Sequence, residues 1–285
     1  MTLKWMKGIP LMVLSLACAA TSVEAASPTN GDDIDQSLAH CLADPDKKAT
    51  GDQDACIDTA TRAWDDRLNA TYQALQRDLP DASRPVLVAA QRAWVASRDA
   101  DLKLIAAVYG TVHGTMYAPM NANDVMSVTR RRAQTLMRYF SVVSGAPSAM
   151  PPVNGWPLPV ALERPDGGSP VPQRGLRFEL ANCVKLTEAG AIARCAKQST
   201  PRYARDITVI STTMARRMPA ASRGTARVAA AQWRRFMTAE AALADAVCPD
   251  SQTPQGQACR ALQARNDTFA RLQWLVGLEG MIGAN

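Results

Sequence analysis

The chain has 285 residues, of which 47% are hydrophobic, and its formal net charge is +6 at pH 7. It contains only two histidines and no CxxC pair, which argues against a zinc site. A serine nucleophile elbow, an HExxH motif and a glycine-rich phosphate loop are also missing from the sequence. We therefore predict no enzyme activity, no cofactor, no metal and no nucleic-acid partner.

The charge is unevenly distributed along the chain. Residues 26–144 carry 13 basic and 15 acidic side chains, whereas residues 145–285 carry 17 basic and 10 acidic ones. Between residues 31 and 66 there are ten aspartates against three basic side chains. An acidic front half would attract a cationic partner, and a basic back half would attract an anionic one such as a cell-envelope polymer.

Residues 1–25 have the features of a secretory signal peptide. Lys4 and Lys7 precede an apolar run over residues 9–20, and Ala25 ends a small-residue cleavage site. This predicts a periplasmic or secreted protein, with lipidation at Cys18 as the alternative. No later stretch resembles a transmembrane segment.

Six cysteines remain after the signal peptide, and they fall into three pairs that are close in sequence. An even number of cysteines in an exported chain predicts disulfides, although six cysteines allow fifteen pairings. Each local loop would stabilise the fold by about 2–3 kcal/mol in the chain-entropy model. The predicted pairs are Cys41–Cys56, Cys183–Cys195 and Cys248–Cys259.

Amphipathic patterns predict three helices in the first half, over residues 54–79, 83–109 and 124–143. The apolar stripes of the first two predict an antiparallel helical hairpin. Their core positions are predicted to be Trp64, Leu68, Tyr72, Leu75, Leu87 and Trp94. Polar side chains beside these stripes would tie helices together, with Asp65 pairing to Arg98; the others are Asn69, Gln91 and Asp99. Thr129 and Arg132 are predicted to be structural residues of the third helix, where residues 130–132 form a basic face, with a phosphate or glycan contact as the alternative.

The second half repeats the first at a constant spacing of 139 residues, which we call the repeat offset; position 79, for example, corresponds to position 218. The segment 79–84, LPDASR, returns at 218–223 as MPAASR, and the pattern TxxRxQxL at 129–136 returns at 268–275. The segment 88–91 also returns at 228–232, which indicates a two-residue insertion. Residues 145–176 are rich in proline and glycine and are predicted to form a linker. The helices of residues 177–285 are predicted to break at Pro201, Pro219 and the 248–259 loop. The predicted fold is all-α, with two tandem bundles of three to four helices each.

The first half resembles the LprI-like lysozyme-inhibitor family. The resemblance covers roughly residues 40–140, and it is carried by Cys41 and Cys56, WDxxLNxxYxxL at 64–75, AQRAW at 90–94, RDA at 98–100, GTMYAPM at 114–120 and TxxRxxxL at 129–136. The family's second cysteine pair would fall near Leu102 and Asp124, and neither position is cysteine here. The resemblance implies binding to a lysozyme-type muramidase as a protein partner, for protection of the cell's own wall or as immunity.

Muramidase active sites depend on two carboxylates, which an inserted loop would block. The best candidate is the loop of residues 110–120, with contacts from Thr111, His113, Thr115, Met116 and Tyr117. On this hypothesis residues 26–144 alone would bind as well as the full chain. The alternative function is a non-inhibitory envelope module in which the basic second half binds peptidoglycan or a partner protein.

Overall fold

A computed structural model of the chain describes residues 32–145 and 186–283. The predicted signal peptide, Cys18, Cys183 and nearly all of the predicted linker lie outside these residues. The described ranges contain seven α-helices and no strand: α1 (Asp32–Ala43), α2 (Thr50–Asp78), α3 (Arg84–Tyr109), α4 (Tyr117–Ser144), α5 (Ala189–Arg217), α6 (Arg223–Val247) and α7 (Pro254–Gly280), with a short 3₁₀ turn at Ala220–Ser222. The all-α prediction is confirmed.

Two of the predicted disulfides are present. Cys41–Cys56 joins α1 to α2, and Cys248–Cys259 joins the end of α6 to the beginning of α7. The third predicted pair, Cys183–Cys195, includes a residue outside the described ranges and stays a prediction.

Within the 248–259 loop, Gly256 has no room for a side chain because the backbone oxygens of Pro249 and Asp250 occupy that space.

The repeated LPDASR and MPAASR segments form the same turn in both halves. Arg84 donates a hydrogen bond from Nε to the carbonyl oxygen of Leu79 (3.1 Å), and Arg223 does the same to Met218 (3.3 Å). These carbonyls lie at the ends of α2 and α5, where helical hydrogen bonds stop. The final arginine of the motif therefore caps one helix while it begins the next.

Two predicted helix boundaries are wrong. The helix predicted from residue 124 begins at Tyr117, because Pro119 lies in the first turn of α4, where a missing backbone N–H is tolerated. The break predicted at Pro201 does not occur, and α5 continues through it to Arg217. Pro201 and Lys197 both face solvent, so water can satisfy the carbonyl that loses its helical hydrogen bond.

The predicted hairpin of α2 and α3 is also wrong. Instead α2 packs against α4, α5 packs against α7, and α3 packs mainly against α6 from the other half. α3 is about 39 Å long at 1.5 Å per residue, and only its N-terminal half packs with α2 residues such as Trp64. Its apolar stripe identifies the buried face but not the helix that covers it.

Buried apolar side chains form two cores, a first core around Trp64 and a second core around Tyr203, and the helices α3 and α6 each contribute to both. The N-terminal half of α3, with Leu87 and Trp94, packs in the first core, and its C-terminal half, with Leu104, packs in the second. α6 runs the opposite way, since its early residue Ala229 lies in the second core and its late residue Leu243 lies in the first. The two predicted bundles therefore interlock, and each core is completed by a helix from the other half.

The repeat offset also holds within α3 and α6. The buried positions Leu87, Ala90 and Leu104 correspond to the buried positions Ala226, Ala229 and Leu243 without any gap. The predicted two-residue insertion is therefore wrong. Segments 88–91 and 228–232 have similar sequences, but the positions that are buried in both helices are related by the repeat offset without an insertion.

Candidate functional site

The loop between α3 and α4 is short and is tied down at both ends. Thr111 donates a hydrogen bond from its hydroxyl to the Val108 carbonyl (2.7 Å) and accepts one from the backbone N–H of Gly283 (3.1 Å). Val112 is buried, and Gly114 has a positive φ of 113°, a conformation that favours glycine. The loop is therefore anchored to the C-terminal end of the described chain.

The five predicted target-binding residues differ in exposure. His113, Thr115 and Met116 are exposed, and Met116 keeps 59% of its accessible surface. Thr111 is half-buried and engaged with the backbone, and Tyr117 is half-buried and packs against the second core. The loop thus presents three neighbouring side chains to solvent above two anchoring residues.

A hydrogen bond ties the end of α3 to the first turns of α4. The Tyr109 hydroxyl donates to Asp124 Oδ2 at 2.8 Å. Asp124 is one of the two positions near which the related family would carry its second cysteine pair. Burial raises the pKa of Asp124 from 3.8 to about 6, although the hydrogen bond from Tyr109 and the nearby charge of Arg131 lower it.

Two buried ion pairs join the halves in a reciprocal way. Arg132 of α4 lies 2.8 Å from Glu240 of α6, and the two side chains are 1% and 2% exposed. Arg271 of α7 forms the matching pair with Asp101 of α3, at 4% and 5% exposure. The repeat offset relates Arg132 to Arg271 and Asp101 to Glu240, so each pair takes one member from each half. Arg132 also donates a hydrogen bond to Gln91 Oε1 at 2.9 Å, which joins α4 to α3.

A second polar cluster lies beside the first pair. Asp267 accepts hydrogen bonds from Arg138 and Thr135 at Oδ1, each at 3.2 Å, and from Gln263 at Oδ2 at 2.8 Å. Burial raises the pKa of Asp267 to about 6, against the opposing effect of Arg138. Burial and the neighbouring Glu240 carboxylate also raise the pKa of Tyr139 well above 10.

The remaining predicted structural residues divide into core and surface. Trp64, Leu68 and Trp94 are buried, as predicted, whereas Tyr72 and Thr129 are half-buried. The predicted Asp65–Arg98 ion pair is wrong, because each of the two side chains has its partner on its own helix. Arg98 instead pairs with the adjacent Asp99 at 2.8 Å and lies over the Trp94 ring, and Asp65 accepts a hydrogen bond from Asn69 within α2.

Sequence reasoning missed the acidic partners of the repeated arginines. Asp101 and Glu240 lie on helices rich in charged residues, so they resembled solvent-facing positions. Asp101 and Glu240 are separated by the repeat offset, as Arg132 and Arg271 are. This correspondence between the two copies could have identified the two acidic residues.

The fold defines an all-α protein with interlocked halves and local disulfides. Residues 41–136 match the family described as "Lysozyme inhibitor LprI", which confirms the resemblance of the first half. A crystal structure of an uncharacterized protein from Burkholderia thailandensis matches with a TM-score of 0.53 and 23% identity, over 84% of this chain and 98% of that chain. That similarity extends over both halves and concerns the fold alone. No curated protein matches the chain.

None of the helices in residues 32–145 and 186–283 has the length and apolar character that crossing a membrane requires.

Proposed function

We propose that this protein is an extracytoplasmic inhibitor of a lysozyme-type muramidase and that the α3–α4 loop is its contact. The observation that carries the proposal is the match of residues 41–136 to the lysozyme-inhibitor family. The location rests on the disulfides Cys41–Cys56 and Cys248–Cys259, which form and persist in oxidising compartments, and on the signal-like sequence of residues 1–25. The protein acts by binding and not by catalysis.

The loop has the chemistry to block a cleft that contains two carboxylates. Thr115 and His113 offer side-chain donors to carboxylate oxygens, and Met116 offers an adaptable apolar contact beside them. Anchoring by Thr111 and Tyr117 limits the conformational entropy lost on binding.

Charge supports encounter with a cationic enzyme. Many of the aspartates between residues 31 and 66 are exposed on α1 and α2, for example Asp33, Asp58 and Asp66. Such a surface raises the association rate with a positively charged partner and is screened by salt. We therefore expect inhibition to weaken as ionic strength rises.

The test is titration of the mature full-length chain into a panel of muramidases that degrade purified peptidoglycan. We expect the rate for at least one enzyme to fall with a saturable dose dependence. Replacing His113 and Met116 by alanine should raise the inhibition constant at least tenfold. Alanine at Ser251 and Gln252, two exposed residues of the α6–α7 loop, is the matched control and should leave the inhibition constant unchanged.

Two results would count against different parts of the proposal. If every muramidase in the panel keeps its full rate, the protein is not a muramidase inhibitor of this class. If inhibition occurs but the loop variant inhibits as well as the control, the contact lies elsewhere on the surface.

The second candidate is an envelope module that binds peptidoglycan without inhibiting any enzyme. It is favoured by exposed basic side chains along α5, among them Arg194, Arg202 and Arg205. Sedimentation with purified peptidoglycan separates the two functions. Retention of the protein on the polymer, with muramidase activity undiminished, would support this second candidate.

A further inference from the structure

A cavity of about 430 Å³ lies in the second half between α5, α6 and α7. Most of its wall is apolar and is formed by Met237, Ala244 and Ala261. Lys197 is exposed at its mouth, whereas Glu240 is 1% exposed and lies at its inner end. Its volume is within the range of small-molecule sites, about 300–1,000 Å³.

The cavity exists because the second copy carries smaller side chains than the first. Leu102 and Ile105 of α3 correspond, at the repeat offset, to Ala241 and Ala244 of α6. Ile105 is buried in the second core, while both alanines line the cavity. The side chains of Leu102 and Ile105 therefore fill, in the first copy, the space that corresponds to the cavity of the second copy.

The same comparison shows that the second copy carries a polar group at one position where the first copy is apolar. Val128 of α4 is buried and apolar, and its counterpart Asp267 of α7 lines the cavity together with Gln263. Loss of packing volume alone would leave an apolar void. The Asp267 carboxylate gives the cavity a hydrogen-bonding group that a core does not need, and Gln263 stands where the first copy already has the polar Asp124.

The inner end of the cavity has unused capacity to accept a hydrogen bond. Glu240 Oε2 binds Arg132, whereas Glu240 Oε1 is buried and makes no hydrogen bond within 3.5 Å to the described residues; the buried Tyr139 hydroxyl is a neighbour of this carboxylate. The lining contains three carboxylates and the cations Lys197 and Arg260. Each carboxylate has one arginine partner: Glu240 pairs with Arg132, Asp267 with Arg138 and Asp245 with Arg260. Arg132 is not part of the lining, so a ligand would approach the carboxylate side.

We propose that this cavity binds a small amine whose ammonium group faces Glu240 and Asp267 and whose apolar body lies along the alanine wall. A buried acceptor without a partner is satisfied when a ligand supplies the N–H donor. The alanine and methionine side chains remove the apolar body from water. The site is independent of the α3–α4 loop, and the inference does not rest on the proposed inhibition.

Calorimetric titration of the mature full-length chain with hexylamine, 1-hexanol and hexanoate tests the chemistry of the ligand. We expect hexylamine to bind at least tenfold more tightly than 1-hexanol, and hexanoate to bind most weakly. Equal binding of all three, absence of hexylamine binding, or preference for hexanoate at Lys197 would overturn the inference.

Filling the cavity tests its location. Ala241→Leu and Ala244→Ile restore the side chains that the first copy carries at these positions, and each should reduce hexylamine affinity at least tenfold. Ala242→Leu is the matched control, because Ala242 is exposed on the same helix and does not line the cavity. Unchanged hexylamine affinity in both filled variants would show that the amine binds elsewhere. Because Ala241 is exposed, Ala241→Leu should fold even if Ala244→Ile does not, and the test then rests on Ala241→Leu.

The pH dependence gives an independent readout. Asp267 faces Arg138 and Arg132 from α4, Glu240 from α6 and Gln263 from its own helix, and burial raises its pKa to about 6. Hexylamine should therefore bind several-fold more weakly at pH 5, where Asp267 is protonated, than at pH 7.5. Identical affinity at both values would contradict the assigned orientation of the ammonium group.

Discussion

The buried pair Arg132–Glu240 gives a direct test of how the halves are joined. Its side chains are almost fully removed from solvent and belong to opposite halves of the chain. In Glu240→Leu, the Arg132 guanidinium stays buried without its counter-charge. Removing one partner of a buried pair costs about 3–5 kcal/mol, because the remaining charge is uncompensated. We expect the free energy of unfolding to fall by that amount.

The double variant Arg132→Met/Glu240→Leu separates the ion pair from its surroundings. Without either charge, no buried ion remains at these two positions, so the loss should be well below the loss in Glu240→Leu alone. Arg62→Ala is the control, because Arg62 pairs with Asp58 at the surface, where the side chains are 64% and 65% exposed. Such a pair contributes at most about 1 kcal/mol.

Urea unfolding of the chain without residues 1–25, followed by circular dichroism, measures all four proteins. Because each core contains residues from both halves, we expect one cooperative transition in the parent protein. A cost below about 1 kcal/mol for Glu240→Leu would refute the reasoning about the pair. Two separate transitions in the parent protein would refute the interlocked arrangement.

Three further predictions concern the same architecture. Asp124 has a pKa near 6 in the folded chain against 3.8 in the unfolded chain, so its ionisation should cost up to about 3 kcal/mol as pH rises through this interval. Asp124→Asn should therefore gain stability relative to the parent at pH 7 but not at pH 4, and parallel stability–pH curves would disprove this. Gly256→Ala should cost at least about 2 kcal/mol, because the new methyl group meets the Asp250 carbonyl, whereas Gly277→Ala, with open space around it, should be neutral or stabilising. The fragment 26–144 lacks α6 and should unfold at much lower urea concentration than the full chain, and equal midpoints would show that the first core is complete without it.

Helix positions, repeats and disulfides could largely be predicted from the sequence, because they depend on local information. The stripe of Trp64, Leu68 and Leu75 needs only the helical period to be recognised, and all three are buried. Cys41–Cys56 and Cys248–Cys259 are close in sequence, which favoured those pairings over the alternatives.

Helix pairing could not be predicted in the same way. A stripe such as that of α3 identifies a buried face, but any helix with a matching stripe can cover it. Sequence proximity favoured α2 as the partner, whereas α3 packs against α6, because its stripe continues through Leu104 and Val108 beyond the reach of one bundle. The buried acids Asp101 and Glu240 were missed for the same reason, since their partners lie 170 and 108 residues away.

The crossing of α3 and α6 also affects how the two copies can evolve. A single-copy protein that built the same arrangement by self-association would carry every substitution twice, once in each subunit. In one continuous chain the copies inherit changes separately, so positions 241 and 244 can be alanine while their counterparts Leu102 and Ile105 are bulky. Gene fusion thereby frees one copy to specialise while the other preserves the shared scaffold.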